Sequence, residues 1–480
     1  MAVPRSAVSR NVSQDAVVVI PGIMGSQLVD TTTNKLIWGL DPGWYAQAWL
    51  SRAALRRLEL TDDEREGRIG CVAARGLLKA TAFAPVLAGF EPYTKLVTQI
   101  TTVVVSRRAV LEFGYDWRLP VRHNARLLVT EARAHLERWR RDEAYTRARV
   151  ARPEARPAQL VLVAHSMGGL LCRAATADLE DVRTMITLGT PFDGAAKAAV
   201  LLNSGRGDPV PLPRRHLRRL AATLPGVHDL LPVYRCVDDG DVVRRLTPAD
   251  VDDLGGNREL AESAQASHAQ LAQARMMGHR AVVGTDQPTV QSITLRQGVI
   301  GEQHYSFVPQ ENGDLELDAN HKLIRVDRRG DGTVPRNSAN PVGCPAQPVA
   351  QQHGVLAKAD EAVTFVCAVI RDEDADLGPR LGGGEIGLDI PDVVDPGVEW
   401  VARVTGVAPH EAACRVVNVQ TGLAVDHPPL HRGDSQVRAT VSLPEPGLFR
   451  VEVSGGGESA VTQVVMAVDP TAGDPDYTDD

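Results

Sequence analysis

The sequence predicts an α/β protein with a mostly parallel sheet, helices on both faces and inserted cap segments, followed by a small all-β sandwich of immunoglobulin-like type. Three observations carry this. Short apolar β-branched runs alternate with helix-period segments between residues 16 and 370, the rhythm of a parallel sheet buried on both faces. At residues 159–173, Q-L-V-L-V-A-H-S-M-G-G-L-L-C-R, one such run stops at a turn of small residues and continues as an Ala- and Leu-rich helix. Beyond residue 387 the apolar period becomes two, the pattern of strands with one buried face.

Composition bounds the answer. At 480 residues the chain has room for a large domain and a smaller one. Hydrophobic residues make up 43% and charged residues 23%, ordinary for a globular protein. A net charge of −8 and a pI near 5.9 argue against a general nucleic-acid binder. Residues 1–15 lack the apolar core of a signal peptide, and no stretch has the length of a membrane span, so a cytoplasmic location is expected. Cys71, Cys172, Cys236, Cys344, Cys367 and Cys414 show no C-x-x-C or zinc spacing, so neither disulfides nor a metal is expected. Cys172 and Cys367 lie in apolar helical patterns and read as buried thiols.

Taken in order, the first strand is residues 16–20, running into Pro21-Gly22-Ile23-Met24-Gly25. Residues 29–90 fit the sheet poorly and read as a cap. Trp38, Trp44, Tyr45 and Trp49 cluster there, as a cover for an apolar pocket, an interfacial patch or ordinary packing of cap on core. Helix at 93–102 and strand at 109–113 precede a long basic helix at 122–141. Its buried face is Leu128, Ala132, Leu136 and Trp139, and its arginines read as a solvated face. After the turn at 164–168 come a helix and a strand at 184–188. Residues 204–278 break the rhythm and read as an inserted helical lid, whose basic stretch 214–220 is a solvated face or a contact for anionic head groups. Strands return at 281–284 and 347–351. A hairpin-like Glu311-Asn312-Gly313-Asp314 turn lies between them, and a closing helix at 355–370 follows.

Strand, tight turn with a central Ser, then helix is the nucleophile elbow of the α/β-hydrolases. Ala164 and Gly168 supply the small residues two before and two after Ser166; Ala164 stands where glycine is usual. Ser166 is the candidate nucleophile. The amide after it, Met167, and that of Ile23 in the loop after the first strand are the candidate oxyanion donors. In this fold an acidic residue and then a His follow the Ser in the chain. Asp331, in Gly330-Asp331-Gly332, is the candidate acid with Asp327 as the alternative, and His353 is the only His between Asp331 and the glycine-rich stretch at 382–384.

The reading divides the chain into a hydrolase domain at 1–375, a glycine-rich linker at 376–387, a β-sandwich at 388–469 and an acidic tail at 470–480. Val437, Ala439, Val441 and Leu443 alternate with polar residues, as do Phe449, Val451 and Val453. Such a module can bury its own core. It is expected to be separable and to serve targeting through a protein partner or a surface; docking over the pocket is the competing arrangement.

Several separated motifs resemble one family. P-G-x-x-G-x-x-L at 21–28, Y-D-W-R at 115–118, A-H-S-M-G-G at 164–169, T-L-G-T-P-F-x-G at 187–194, P-x-x-x-x-L-L-P at 225–232 and G-D-G-T-V at 330–334 occur in the order found in the lecithin:cholesterol acyltransferase-like family, which includes the lysosomal phospholipase A2 type. The resemblance implies an α/β-hydrolase with a capped pocket acting on glycerophospholipid acyl esters, with Ser166, Asp331 and His353 as triad and Ile23 and Met167 as oxyanion donors. The reading expects no cofactor, a lipid or acyl-ester substrate, peripheral membrane contact through the cap, and transfer of the acyl group to water or to an alcohol. The family's paired lid cysteines and export signal are not expected from this sequence, and the C-terminal sandwich lies outside the resemblance. A partner-recruited or switched hydrolase acting through that sandwich is the alternative reading.

Overall fold

The structure, a computed structural model of the chain, describes residues 12–39, 53–79, 93–205, 214–310, 314–341, 343–373, 386–433, 436–455 and 460–468. Trp44, Tyr45, Trp49, most of the linker, the tail and the tip of the 311–314 turn lie outside these residues.

The core is a six-stranded sheet ordered Ala346–Val349, Arg280–Gly284, Val182–Leu188, Leu160–His165, Ala16–Ile20, Val110–Glu112. Every pairing in it is parallel. The β-branched runs that predicted these strands are the reason: Ala16–Ile20 and Leu160–His165 are buried along their whole length, as strands covered on both faces must be. The chain leaves Ala16–Ile20 for one edge, then returns across it toward the other. With right-handed crossovers, that reversal puts helices on opposite faces and opens a crevice at the strands' C-terminal ends. Ile20 pairs with Ala164, so the loop after the first strand and Ser166 leave the sheet side by side.

Two helix pairs cover the sheet. Val121–Arg140 packs on Met167–Ala175, and Thr94–Thr102 on Asp360–Ile370. Val121–Arg140 buries Leu128, Ala132, Leu136 and Trp139, as its spacing predicted. Its first amide donates to Asp229 Oδ2 at 2.7 Å, so a carboxylate from the insert caps the positive end of the helix. The expected closing helix is two: His353–Leu356, then Asp360–Ile370.

The inserts differ from their prediction. The 29–90 segment contributes a three-stranded sheet with Ser26–Asp30. Trp38 is buried there, its ring edge against Trp117 with centroids 5.6 Å apart. The 204–278 insert is not purely helical. Arg235–Asp238 and Val243–Arg245 join Ser292–Arg296 and Val299–Gln303 in a four-stranded sheet. Both strands were missed because they are short and charged, with little apolar alternation to signal them. The six cysteines are free thiols, with Cys172 and Cys367 buried. No helix among the described residues is long and apolar enough to cross a membrane.

The C-terminal region folds as two facing sheets of four and five strands. Its core holds the alternating residues Val437, Ala439, Val441, Leu443, Phe449, Val451 and Val453, and is separate from the core of the large sheet. This core begins earlier than expected: Ile386 is buried in it and Gly387 already belongs to a strand. Nor does the sandwich stand apart. It packs against the loops that follow Arg280–Gly284 and Ala346–Val349, with Gln287 Nε2 donating to the Ile386 carbonyl at 2.8 Å and Gln351 Nε2 to the Ala460 carbonyl at 3.0 Å, and against Arg329, whose Nη1 donates to Thr405 Oγ1 at 2.9 Å.

Candidate active site

Ser166 sits between strand and helix with φ 52° and ψ −126°, a conformation L-residues avoid. Such strain persists only where the surroundings over-determine it. Here three glycines allow the close packing that does so. A Cβ on Gly22 would lie 2.8 Å from Ser166 Cβ, one on Gly168 would lie 2.5 Å from the Pro21 carbonyl oxygen, and one on Gly169 would lie 2.0 Å from Thr190 Oγ1. The turn therefore fits against the Pro21–Gly22 loop on one side and the Thr190 loop on the other.

Asp331 and His353 reach this turn from two other strand ends. His353 Nε2 lies 2.8 Å from Ser166 Oγ, and His353 Nδ1 lies 2.6 Å from Asp331 Oδ2. Asp331 is fully buried, and its other oxygen accepts from the Thr333 and Val334 amides at 3.0 and 2.7 Å. An acceptor carboxylate at Nδ1 requires the proton there, which leaves Nε2 free to accept from the serine hydroxyl. The alternative acid, Asp327, instead accepts from Gln291 Nε2 and the Arg329 amide and makes no bond to His353.

The Met167 amide is the first of the elbow helix, where no preceding turn supplies an acceptor. The Ile23 amide belongs to the adjacent loop, and neither amide makes a hydrogen bond elsewhere among the described residues. Tyr115 of the Y-D-W-R motif anchors this loop, its hydroxyl donating to the Pro21 carbonyl at 3.0 Å. Arg118 of the same motif is fully buried and ion-paired with both Asp116 and Glu64.

One network was not foreseen. The Gly22 amide donates to Tyr93 Oη at 2.8 Å, Tyr93 Oη lies 3.0 Å from His165 Nδ1, and His165 Nε2 lies 3.2 Å from the His353 carbonyl. A carbonyl only accepts, so His165 carries its proton on Nε2 and takes the Tyr93 hydroxyl at Nδ1. Burial, reinforced by the neighbouring His353, pushes His165 down to about 3, so it stays neutral and keeps this directionality. The chain of bonds links the Pro21–Gly22 loop, the elbow and the His353 loop.

A cavity of about 260 Å³ opens at Ser166 and His353. Leu217, Leu220, Leu224 and Val227 of the insert make one apolar wall. The basic helix Arg214–Ala221 thus turns its leucines to the cavity, while Arg218 bonds the Leu202 carbonyl. On another side the cavity is lined by Asp392, Thr462, Gln463 and Val464 of the sandwich.

A strained serine elbow on a parallel sheet, with His and Asp converging at a covered apolar pocket, defines an α/β-hydrolase architecture. The model of the lecithin:cholesterol acyltransferase family matches residues 59–253 of this chain, so the resemblance carried by the motifs holds over that segment. The matched region contains Ser166 and ends before Asp331 and His353. The chain matches none of the curated proteins. Among solved structures it is similar to the Tle4–Tli4 complex, with 16% identity, 76% of this chain and 99% of that one covered, and a TM-score of 0.46. Bacillus licheniformis lipase BlEst2 in its propeptide form aligns at 11% identity over 98% and 97% of the two chains, with a TM-score of 0.34. Phospholipase PlaB from Legionella pneumophila aligns at 9% identity over 94% and 91%, with a TM-score of 0.24.

Proposed function

We propose that the chain is a serine acyl hydrolase of phospholipase or lipase type, cleaving glycerophospholipid acyl esters through an acyl-enzyme. The observation that carries this is the relay from Asp331 through His353 to Ser166, at 2.6 and 2.8 Å, on a strained elbow beside an apolar cavity. In the first half-reaction, Ser166 Oγ adds to the ester carbonyl as His353 Nε2 takes its proton. The negative charge on the former carbonyl oxygen is met by the Ile23 and Met167 amides and by the N-terminus of the elbow helix. Collapse breaks the bond to the alcohol, which leaves with the proton from Nε2. In the second half, water gives its proton to Nε2 and attacks the acyl-enzyme, releasing the acid and restoring Ser166. An alcohol in place of that water yields a new ester by the same steps. Asp331 holds the tautomer and stabilises the imidazolium without itself taking the proton. The site needs no metal or organic cofactor for these steps.

The test is release of fatty acid from phosphatidylcholine vesicles and from a soluble short-chain ester by the purified chain. Wild type should act on both, and Ser166→Ala should lose roughly 10⁴-fold while keeping its fold. Equal turnover by the folded variant would refute the assignment.

A further inference from the structure

The cavity has two unlike walls. The apolar wall from the insert suits an acyl chain. The sandwich wall carries a carboxylate, a carboxamide and a strand edge, groups suited to a polar alcohol and not to a hydrocarbon tail.

The strand edge is the informative part. Val461–Ala467 pairs with Gly447–Ser454 along one side. On its other side the even-numbered residues present their amides and carbonyls. Gln351, two residues before His353, takes the place of a neighbouring strand there. Its Nε2 donates to the Ala460 carbonyl at 3.0 Å and its Oε1 accepts from the Thr462 amide at 3.3 Å, as a peptide group would. Further along, Met466 and Ala467 pair with the short strand Val393–Val394, the Met466 amide donating to the Asp392 carbonyl at 3.0 Å. Between these two pairings lies Val464. It lines the cavity, and its edge-facing N–H and C=O make no hydrogen bond among the described residues. Gln352 reaches the same wall from the hydrolase side: its Nε2 lies 3.1 Å from the Leu388 carbonyl, in the strand Gly387–Asp389 of the other sheet, and 3.4 Å from the Gln463 side-chain oxygen.

We propose that this edge is a subsite of the active centre, in which Asp392, Gln463 and the backbone of Val464 receive the alcohol portion of the ester. The proposal rests on the hydrolase reading above. Val464 offers one donor and one acceptor, the arrangement that binds a hydroxyl-bearing alcohol such as a glycerol unit. The exposed Asp392 carboxylate at the rim favours cationic or neutral alcohols over anionic ones. The sandwich thereby sets which leaving group the pocket accepts, instead of serving as a detachable targeting module.

The experiment uses the full chain and three butyrate esters that share an acyl group: butyrylcholine, monobutyrin, and p-nitrophenyl butyrate as the reference whose alcohol forms few hydrogen bonds. Asp392→Lys should lower kcat/KM for butyrylcholine by roughly 3- to 10-fold relative to the aryl ester, and Asp392→Asn by less. Val464→Pro removes only an edge N–H that no ladder uses, a place where strands accept proline. It should lower kcat/KM for monobutyrin about tenfold relative to the aryl ester. Fluorophosphonate labelling of Ser166, measured in parallel, reports the integrity of the triad in each variant. Equal changes for every ester, or none, would overturn the subsite while leaving the hydrolase reading intact. A wild-type chain that neither takes the label nor cleaves any of the esters would remove the hydrolase reading itself, and the subsite with it.

Discussion

Ser166 and His353 are held by different means. Around Ser166 the constraint is steric: Gly22, Gly168 and Gly169 let three backbones approach so closely that a single Cβ would clash. Around His353 the constraint is a set of side-chain hydrogen bonds, with Gln351 and Gln352 reaching into the sandwich and His165 reaching the His353 carbonyl. Tight packing gives a rigid, local device that a short motif can encode. Hydrogen bonds across 109 residues of sequence, as between Gln351 and Ala460, give a device that depends on a second unit being in place.

The largest effects should come from the relay that joins the two sides. Asp331→Asn and His353→Ala should each lower kcat/KM on a soluble ester by roughly 10⁴-fold, and the double variant should be little worse than His353→Ala, because the residues act as a unit. Losses that multiply would show that Asp331 works apart from His353.

On the steric side, Gly168→Ala places a methyl group against the Pro21 carbonyl, whose loop cannot yield without moving Ile23. The expected loss in kcat is about 10²-fold with KM little changed, since a displacement near 1 Å would misplace the proposed oxyanion donor. A variant that folds and keeps wild-type kcat would dissociate the loop from catalysis.

The hydrogen-bonded side should be more forgiving. Gln351→Leu keeps the volume and removes both edge bonds. It should slow fluorophosphonate labelling roughly 3- to 10-fold and lower stability by about 1–3 kcal/mol. Unfolding followed alongside labelling separates the two effects. Lower stability with an unchanged labelling rate in the folded protein would make Gln351 a purely structural residue.

The smallest effect concerns the insert. Burial raises the Asp229 carboxyl from 3.8 to about 6, against the opposing bond from the Val121 amide. Between those values the folded state binds the proton more tightly than the unfolded one. Stability therefore falls as pH rises through this window and levels off above it. Asp229→Asn retains an acceptor for Val121 and cannot ionise. It should stabilise by on the order of 1–3 kcal/mol at pH 7.5 and by almost nothing at pH 4. A gain independent of pH would assign the effect to packing.

These contrasts follow what the sequence could disclose. Ser166 was legible because strand, small-residue turn and helix lie within one short stretch. Asp331 and His353 rested on chain order, on the glycines flanking Asp331 in G-D-G-T-V and on the place of His353 between strand and helix, and Asp327 stayed open until the structure gave it other partners. Tyr93 reads as an ordinary helix start, and its bond to His165 spans 72 residues. The alternation at 437–443 and 449–453 disclosed the sandwich but not its docking. A glycine-rich linker describes the freedom of the chain between two units, and says nothing of Gln287, Gln351 and Gln352, whose side chains bond backbone groups at Ile386–Leu388 and Ala460–Thr462. The strands at Arg235–Asp238 and Val243–Arg245 were hidden by their charges for the same reason: their partners, not their composition, make them strands.

The central claim is that Ser166 is a nucleophile activated by His353. The most direct measurement is the intact mass of the full chain after treatment with a fluorophosphonate, followed by peptide mapping. One adduct per chain is expected, located on Ser166, absent in Ser166→Ala and formed far more slowly in His353→Ala. An adduct on another residue, or labelling that persists unchanged in Ser166→Ala, would contradict it.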